Sequence, residues 1–428
     1  MTEVPSPLAN PLANPLGSAP FRWLVTGSTI GRLGSAIAPV ALAFAVLDLT
    51  GSATSVGIVT AARSIALVVF ILIGGVVADR LPRRLVMVGA SLASAVTQAA
   101  VAAVVIARTD SVALLAALSA VNGAVAAFSA PASAAVLPQT VPSAALQKAN
   151  ALSRLGVNGA NVIGLSFTGI IIVAAGSGWA IAIDAATYAA SAVCFVLMRI
   201  EEPKREPRRP GADGRSGDSF LRELHVGWKT FVSYEWIWVV VAAFTLINAV
   251  VVGATVVLGP VFADDTIGRS EWGIALGAQA VGYVAGGVIA MRLVPRRLMA
   301  FGMLCAAPMA LPIFAMAGHF GFWPLLVLFF IDGLAIEQFG VAWQISLQRY
   351  IPGDYLARVS SYDALGSWVA IPIGQIAAGP ISGVIGMGPT LVGAGVVILL
   401  AVAASLLSRS VRTLGTTPAP DAAAVPAA

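Results

Sequence analysis

Residues Gly74 to Arg84 read GGVVADRLPRR, and they place Asp79, Arg80, Arg83 and Arg84 between two long apolar runs in a chain that is only 11% charged. Residues Gly286 to Arg297, GGVIAMRLVPRR, repeat the phrase with Met291 where the acid stood. Each copy falls at the end of the second apolar run of its half of the chain. A phrase that recurs at matched positions in two halves predicts two bundles related by pseudo-symmetry, with a short charged loop at the same turn of each.

The composition says what surrounds those loops. Of 428 residues 58% are hydrophobic, and the mean hydropathy is +0.90, more apolar surface than one water-soluble core hides. A membrane core about 30 Å thick takes roughly 20 apolar residues per helix, and about twelve such runs are present. They predict spans at 22–47, 54–79, 85–107, 111–137, 149–174 and 178–199, then 235–261, 270–292, 297–317, 321–347, 356–382 and 387–408. The predicted fold is all-α and membrane-integral, with twelve transmembrane helices in two pseudo-symmetric six-helix bundles, 22–199 and 235–408.

Residues 200–234 hold EEPKREPRRPGADGRSGD and an amphipathic FLRELHVGWKTF, too polar for lipid, and read as a linker. Tails 1–21 and 409–428 are rich in Pro and Ala and are expected to be disordered. Lys and Arg collect in cytoplasmic loops. One side of the map receives Arg22, Arg80, Arg83, Arg84, Lys148, the linker, Arg292, Arg296, Arg297, Arg349, Arg358, Arg409 and Arg412; the other receives Arg108 and Arg269. Both termini and the linker are therefore expected in the cytoplasm of a cell whose plasma membrane holds the protein. The net charge of +5 sits in short loops without aromatic interleaving, which gives no sign of nucleic-acid binding. Cys194 and Cys305 lie inside apolar runs and read as buried free thiols, with no metal or cofactor motif.

GGVVADRLPRR is similar to the G-x-x-x-D-R-x-x-R-R signature of the major facilitator superfamily, and the resemblance runs over about residues 20–410. The stretches FRWLVTGSTIGRLGSAIAPVALAFAVLDLTGSATSVG, FSAPASAAVLPQTVPSAALQKANAL and LQRYIPGDYLARVSSYDALGSWVAIPIGQIAAGPISG resemble the twelve-helix drug-proton antiporters that include macrolide and enterobactin-type siderophore exporters. The resemblance implies a gate, with Asp79 near the start of the eleventh helix beside Arg358, braced by Arg80, Arg83 and Arg84; Asp363 joins it as a further candidate. A carboxylate suits a helix N-terminus and a nearby guanidinium. Two features of such antiporters are missing: residues 114–136 hold no arginine, and Gly164-Leu165 stands where Gly-Pro is expected, although Gly379-Pro380 occurs in the eleventh helix.

Ionisable groups inside a membrane cost at least about 2.5–3.5 kcal/mol and usually line a cavity or hold a partner. Asp332 and Glu337, five apart in the tenth helix, face different ways at about 100° per residue. With Arg32 they are the proton-coupling candidates, Glu337 foremost because Gln344 and Gln348 extend its stripe. Arg63 is similarly deep. Asn122, Asn248, Gln344, Trp343 and Trp368 are candidates to line a substrate cavity. Asn150, Arg154, Asn158, Asn161 and Gln279 read as interhelical hydrogen-bonding groups, Asp48 and Asp184 as solvated or capped acids toward the extracellular ends, and Trp228, Trp236, Trp238 and Trp323 as interfacial anchors.

The sequence reading is a monomeric secondary transporter that exports amphipathic small molecules by proton entry, its partners being the bilayer, the substrate and protons. An importer or facilitator of a small solute, or a sensor that keeps the fold without transport, are the alternatives. No nucleophile-base set or phosphate loop suggests an enzyme.

Overall fold

The computed structural model describes residues 14–80, 82–200, 227–293 and 295–415, the side chains of 71–80, 129–135, 143, 353, 354 and 357 excepted. The first half forms α1 Ala19–Thr50, α2 Ala53–Arg80, α3 Arg83–Ile106, α4 Val112–Thr140, α5 Leu146–Ala175 and α6 Ser177–Leu197. The second forms α7 Glu235–Asp265, α8 Arg269–Ala290, α9 Leu298–Ala317, α10 Phe322–Tyr350, the paired α11a Gly353–Trp368 and α11b Ile371–Ile385, and α12 Met387–Leu407. Among the described residues, eleven helical spans are long and apolar enough to cross a membrane, and α4 adds an apolar run over Val112–Phe128. This is the all-α, twelve-helix membrane architecture expected from the sequence, with boundaries within about one helical turn.

The helix ends follow their capping chemistry. Ser18 accepts the Phe21 N–H at the start of α1, and Gly51, with φ of 62°, closes it in the left-handed conformation. Prolines explain where helices expected to be continuous are not. Pro260 supplies no N–H and crowds the preceding turn, and α7 widens into a π-helical stretch over Gly253–Leu258 just before it. Pro372 follows the break at Val369 and Ala370 that divides the eleventh span, and Pro308 lies in the 3-10 turn Ala307–Met309 inside α9.

By backbone proximity the chain divides into two compact units: unit 1, Met1–Pro203 with Ala263–Gly277, and unit 2, Lys204–Phe262 with Ala278–Ala428. In unit 1, α6 packs on α1 and α3, α2 on α4, and α5 on α1. Phe21, Leu24, Met87, Phe195 and Met198 fill the end at which α1 enters. In unit 2, α9 packs on α10 and α12, while α7 packs on α11a, α11b and α12. Two sequence expectations change here. Trp236 is buried against Trp343 and Tyr350, with ring centroids 5.5 and 6.2 Å away, because its turn of α7 faces α10 and not lipid. Cys305 is half-buried, whereas Cys194 is buried as expected.

Candidate substrate cavity and buried polar groups

Three helices of unit 2 each contribute side chains four residues apart, the spacing that puts two residues on one helix face. Phe244 and Asn248 come from α7, Phe339 and Trp343 from α10, Asp363 and Ser367 from α11a, and together with Trp368 they line a cavity of about 250 Å3. Phe244 and Phe339 stack with centroids 4.0 Å apart, and Phe339 continues the stack to Trp343 at 6.1 Å. Trp343 Nε1 donates to Asp363 Oδ2 at 2.9 Å, Ser367 Oγ to Asp363 Oδ1 at 3.3 Å, and Asn248 Nδ2 to the Ser367 carbonyl at 2.9 Å. A carboxylate away from water needs such donors. An aromatic wall with one acid at its edge suits a molecule with an apolar body and a cationic or hydrogen-bonding end. Asp363, read from the sequence beside a gate, stands in this wall, joined there by Asn248, Trp343 and Trp368. Gln344 is exposed on α10 and does not line the cavity.

Further along α10, Asp332 is 3% exposed; Gln279 Nε2 of α8 donates to its Oδ2 at 2.7 Å, and its Oδ1 meets no protein donor. Gly333 makes this crossing close, since a Cβ there would collide with the Gln279 carbonyl. Glu337 is half-buried against α8 at Gly286 and Gly287. Gln338, which the sequence reading passed over, is buried and donates to the Gly286 carbonyl at 2.7 Å.

Unit 1 carries a second polar set. Arg63 Nε of α2 donates to Asn122 Oδ1 of α4 at 3.2 Å, and Asn122 Nδ2 donates to Thr97 Oγ1 of α3 at 3.1 Å. The next residue, Gln98, donates to Asp184 Oδ2 of α6. Asp184 was expected as a solvated or capped acid near a helix end, but it is 0% exposed and lies seven residues beyond the start of α6, about 10 Å along the axis, where α1 and α3 enclose it. Arg32 is exposed and donates through Nε to Asn161 at 2.9 Å. Asn150 bonds back to its own helix at Leu146.

Of the gate candidates, the side chains of Asp79 and Arg80 lie outside the described residues. Arg84 donates to the carbonyls of Phe195 and Val196, which caps the C-terminal turn of α6 with a cation. Arg83 is half-buried, as is Arg358, which packs beside Gly227 next to the Trp228, Phe231 and Tyr362 aromatic cluster. Another charged group went unforeseen. Arg269 pairs with both Asp264 oxygens at 2.6 Å and with both Asp48 oxygens at 2.6 and 3.0 Å, and its guanidinium lies 4.8 Å from the Phe44 ring centroid. The available signal was that Arg269 stood almost alone on its side of the charge map.

A bundle of apolar helices with buried acids and an aromatic cavity in its interior defines a membrane transport protein. The Major Facilitator Superfamily model matches residues 24–277, and the chain belongs to that superfamily. It is 25% identical over 405 residues to the multidrug efflux pump Tap of Mycolicibacterium fortuitum, covering 91% of this chain and 96% of that one. In fold it resembles a bacterial homolog of the human lysosomal transporter Spinster, in an inward-facing, unoccupied conformation (TM-score 0.68, 16% identity, 96% of this chain and 100% of the other). The nucleoside transporter NupG is similar at TM-score 0.67 and 13% identity, with 91% and 98% covered. At these identities the two structures speak to the fold alone.

Proposed function

We propose that the protein is a secondary active transporter that exports amphipathic small molecules, driven by proton entry. The observation that carries the reading is the unit 2 cavity, in which the Phe244, Phe339 and Trp343 stack meets the Asp363 carboxylate. Stacking and dispersion hold many apolar bodies without strict shape, and the acid selects those with a basic or donor group. The likeness to a multidrug efflux pump supports the outward direction. Asp332 and Glu337, buried and half-buried on one helix, are the proton carriers in this reading: a carboxyl in such a place is pushed toward the neutral form by desolvation and toward the charged form by a cation or donor, so a conformational change that alters either loads or releases a proton. The six-helix halves, 22–199 and 235–408, alternate to expose the substrate to each side. The protein acts as a monomer in the bacterial plasma membrane with both termini cytoplasmic, on the strength of the Lys/Arg asymmetry.

Uptake of a panel of cationic dyes into everted vesicles, with and without a protonophore, tests the reading. Accumulation that the protonophore abolishes is expected; accumulation indifferent to it refutes proton drive, and influx in intact cells refutes export. Asp363→Asn should raise the KM of a cationic dye about tenfold, roughly 1.4 kcal/mol, and leave that of a neutral one little changed. An impermeant thiol reagent should reach a cysteine at position 212 only in broken cells.

A further inference from the structure

Two acids, Asp184 and Asp332, are buried among the described residues, and the proton-driven reading uses Asp332 of unit 2 with the half-buried Glu337 beside it. We propose that Asp184 is a proton-binding site of unit 1, a carboxyl that gains and loses a proton in the transport cycle; this deepens the proposed function and rests on it.

The geometry suits exchange better than a fixed tie between helices. Asp184 is 0% exposed, Gln98 satisfies one of its oxygens, and the other, Oδ1, meets no protein donor. An ionised carboxylate leaves that oxygen uncompensated in an apolar place, whereas a protonated one puts its own O–H there. Gly34 of α1 gives the acid its room, because a Cβ at that position would collide with Oδ1. The opposing group is Arg63, which reaches the acid's surroundings through hydrogen bonds: its Nε donates to Asn122, Asn122 donates to Thr97, and Gln98, next to Thr97, donates to Asp184. A direct ion pair would hold the acid permanently charged; a cation at one remove favours the charged form without locking it.

The charged surroundings are few. On α6 itself Tyr188 is one turn away and shares a hydrogen bond of 2.9 Å with Ser35 of α1. On α1 the charges are Arg22 at its start, which bonds back to the Leu16 carbonyl, Arg32, bound to Asn161, and Asp48, which accepts from Ser177 at the start of α6 and from Arg269. Residues 85–106 of α3 and 155–175 of α5 hold no charged side chain. Arg63 is the cation joined to the Gln98 side of Asp184 through Asn122 and Thr97, and in this proposal it governs whether the acid keeps its proton.

The test uses the full chain reconstituted in liposomes. Wild-type protein, Asp184→Asn, Arg63→Gln and Asp332→Asn are compared for protons moved per substrate and for the pH profile of transport. Asp184→Asn should lower the proton count or abolish the acid-dependent limb of the profile. Arg63→Gln, which leaves the acid in place and removes the cation, should move the midpoint to higher pH. Unchanged stoichiometry and profile in both variants overturn the proposal. If Asp184→Asn fails to fold, a carbodiimide that modifies protonated carboxyls in apolar surroundings decides the matter on the wild type: labelling of Asp184 during turnover that falls as pH rises supports exchange, and labelling that is absent or independent of pH overturns it. A wild type that moves no protons refutes the proton-driven reading itself, an outcome separate from a coupled wild type indifferent to Asp184.

Discussion

Helix α2 crosses α4 at Gly123, and helix α8 crosses α10 at Gly333, by the same backbone device: a missing side chain lets the carbonyl of the neighbouring helix, Arg63 in one unit and Gln279 in the other, come into contact. In each case the residue before the glycine bonds to the side chain of the residue that lends the carbonyl. In unit 1 that pair is Asn122 with the cation Arg63; in unit 2 it is the acid Asp332 with the neutral Gln279. The second and fourth helices of each sequence half therefore meet by like packing and carry unlike charge where they meet. A neutral amide beside a cation leaves that cation's charge unneutralised by the contact, and a neutral amide beside an acid leaves one oxygen of that acid without a protein donor. Packing duplicated between halves is a matter of stability, and charge that differs between them is where coupling to protons is to be sought.

The comparison breaks most visibly if the two crossings are not alike. Gly123→Leu and Gly333→Leu should both cost at or above the upper end of the about 1–3 kcal/mol of an over-packed core, because the obstacle is backbone and does not rotate away. Both variants should lose most of their folded yield in detergent by size-exclusion chromatography. Tolerance of one and not the other would end the claim of a shared device. Next in size is a functional difference. Asp332→Asn keeps shape and the Gln279 contact, so folding should survive, while uphill transport falls at least about tenfold, equivalent to 1.4 kcal/mol or more. Glu337→Gln should do the same and spare exchange without net proton movement if Glu337 is the carrier. Full uphill transport in either variant removes that residue from the role.

Much of this was legible in the sequence because a membrane reduces the problem to counting. Apolar runs of fixed length gave the helices. The cavity was partly legible: Asn248, Trp343 and Trp368 were singled out as polar or aromatic groups inside apolar spans, but Phe244 and Phe339 look like any lipid-facing Phe until the helices are placed. Asp184 was misread because its distance from the end of α6 suggested a solvated or capped acid, and linear distance does not reveal that Gly34 and Gln98 close over it from two other helices. Trp236 was misread for the same reason. The Arg269 cluster joins residues 221 positions apart, a separation that charge counting does not bridge.

The smallest effect expected is the one that best separates tie from switch. Asn122 is 2% exposed and holds two neighbours at once, accepting from Arg63 and donating to Thr97 Oγ1. The Thr97 hydroxyl in turn donates to the Ala93 carbonyl of its own helix at 2.9 Å. Thr97→Val keeps the branched shape and removes the acceptor for Asn122 together with the hydroxyl's bond to its own helix. A hydrogen bond of this kind between membrane helices contributes on average about 0.6 kcal/mol, at most about 1.7, so the thermal midpoint should fall by a few degrees or less. Neither Arg63 nor Asp184 loses a direct partner, and the uphill rate and pH profile should stay within about twofold of wild type. If they do, the line from Arg63 through Asn122 to Thr97 is a structural tie, the unit 1 counterpart of nothing more than the Gly333 crossing. If instead the pH profile moves, the tie transmits the state of Arg63 across three helices of unit 1, and the contrast drawn between a structural crossing and a charged one gives way.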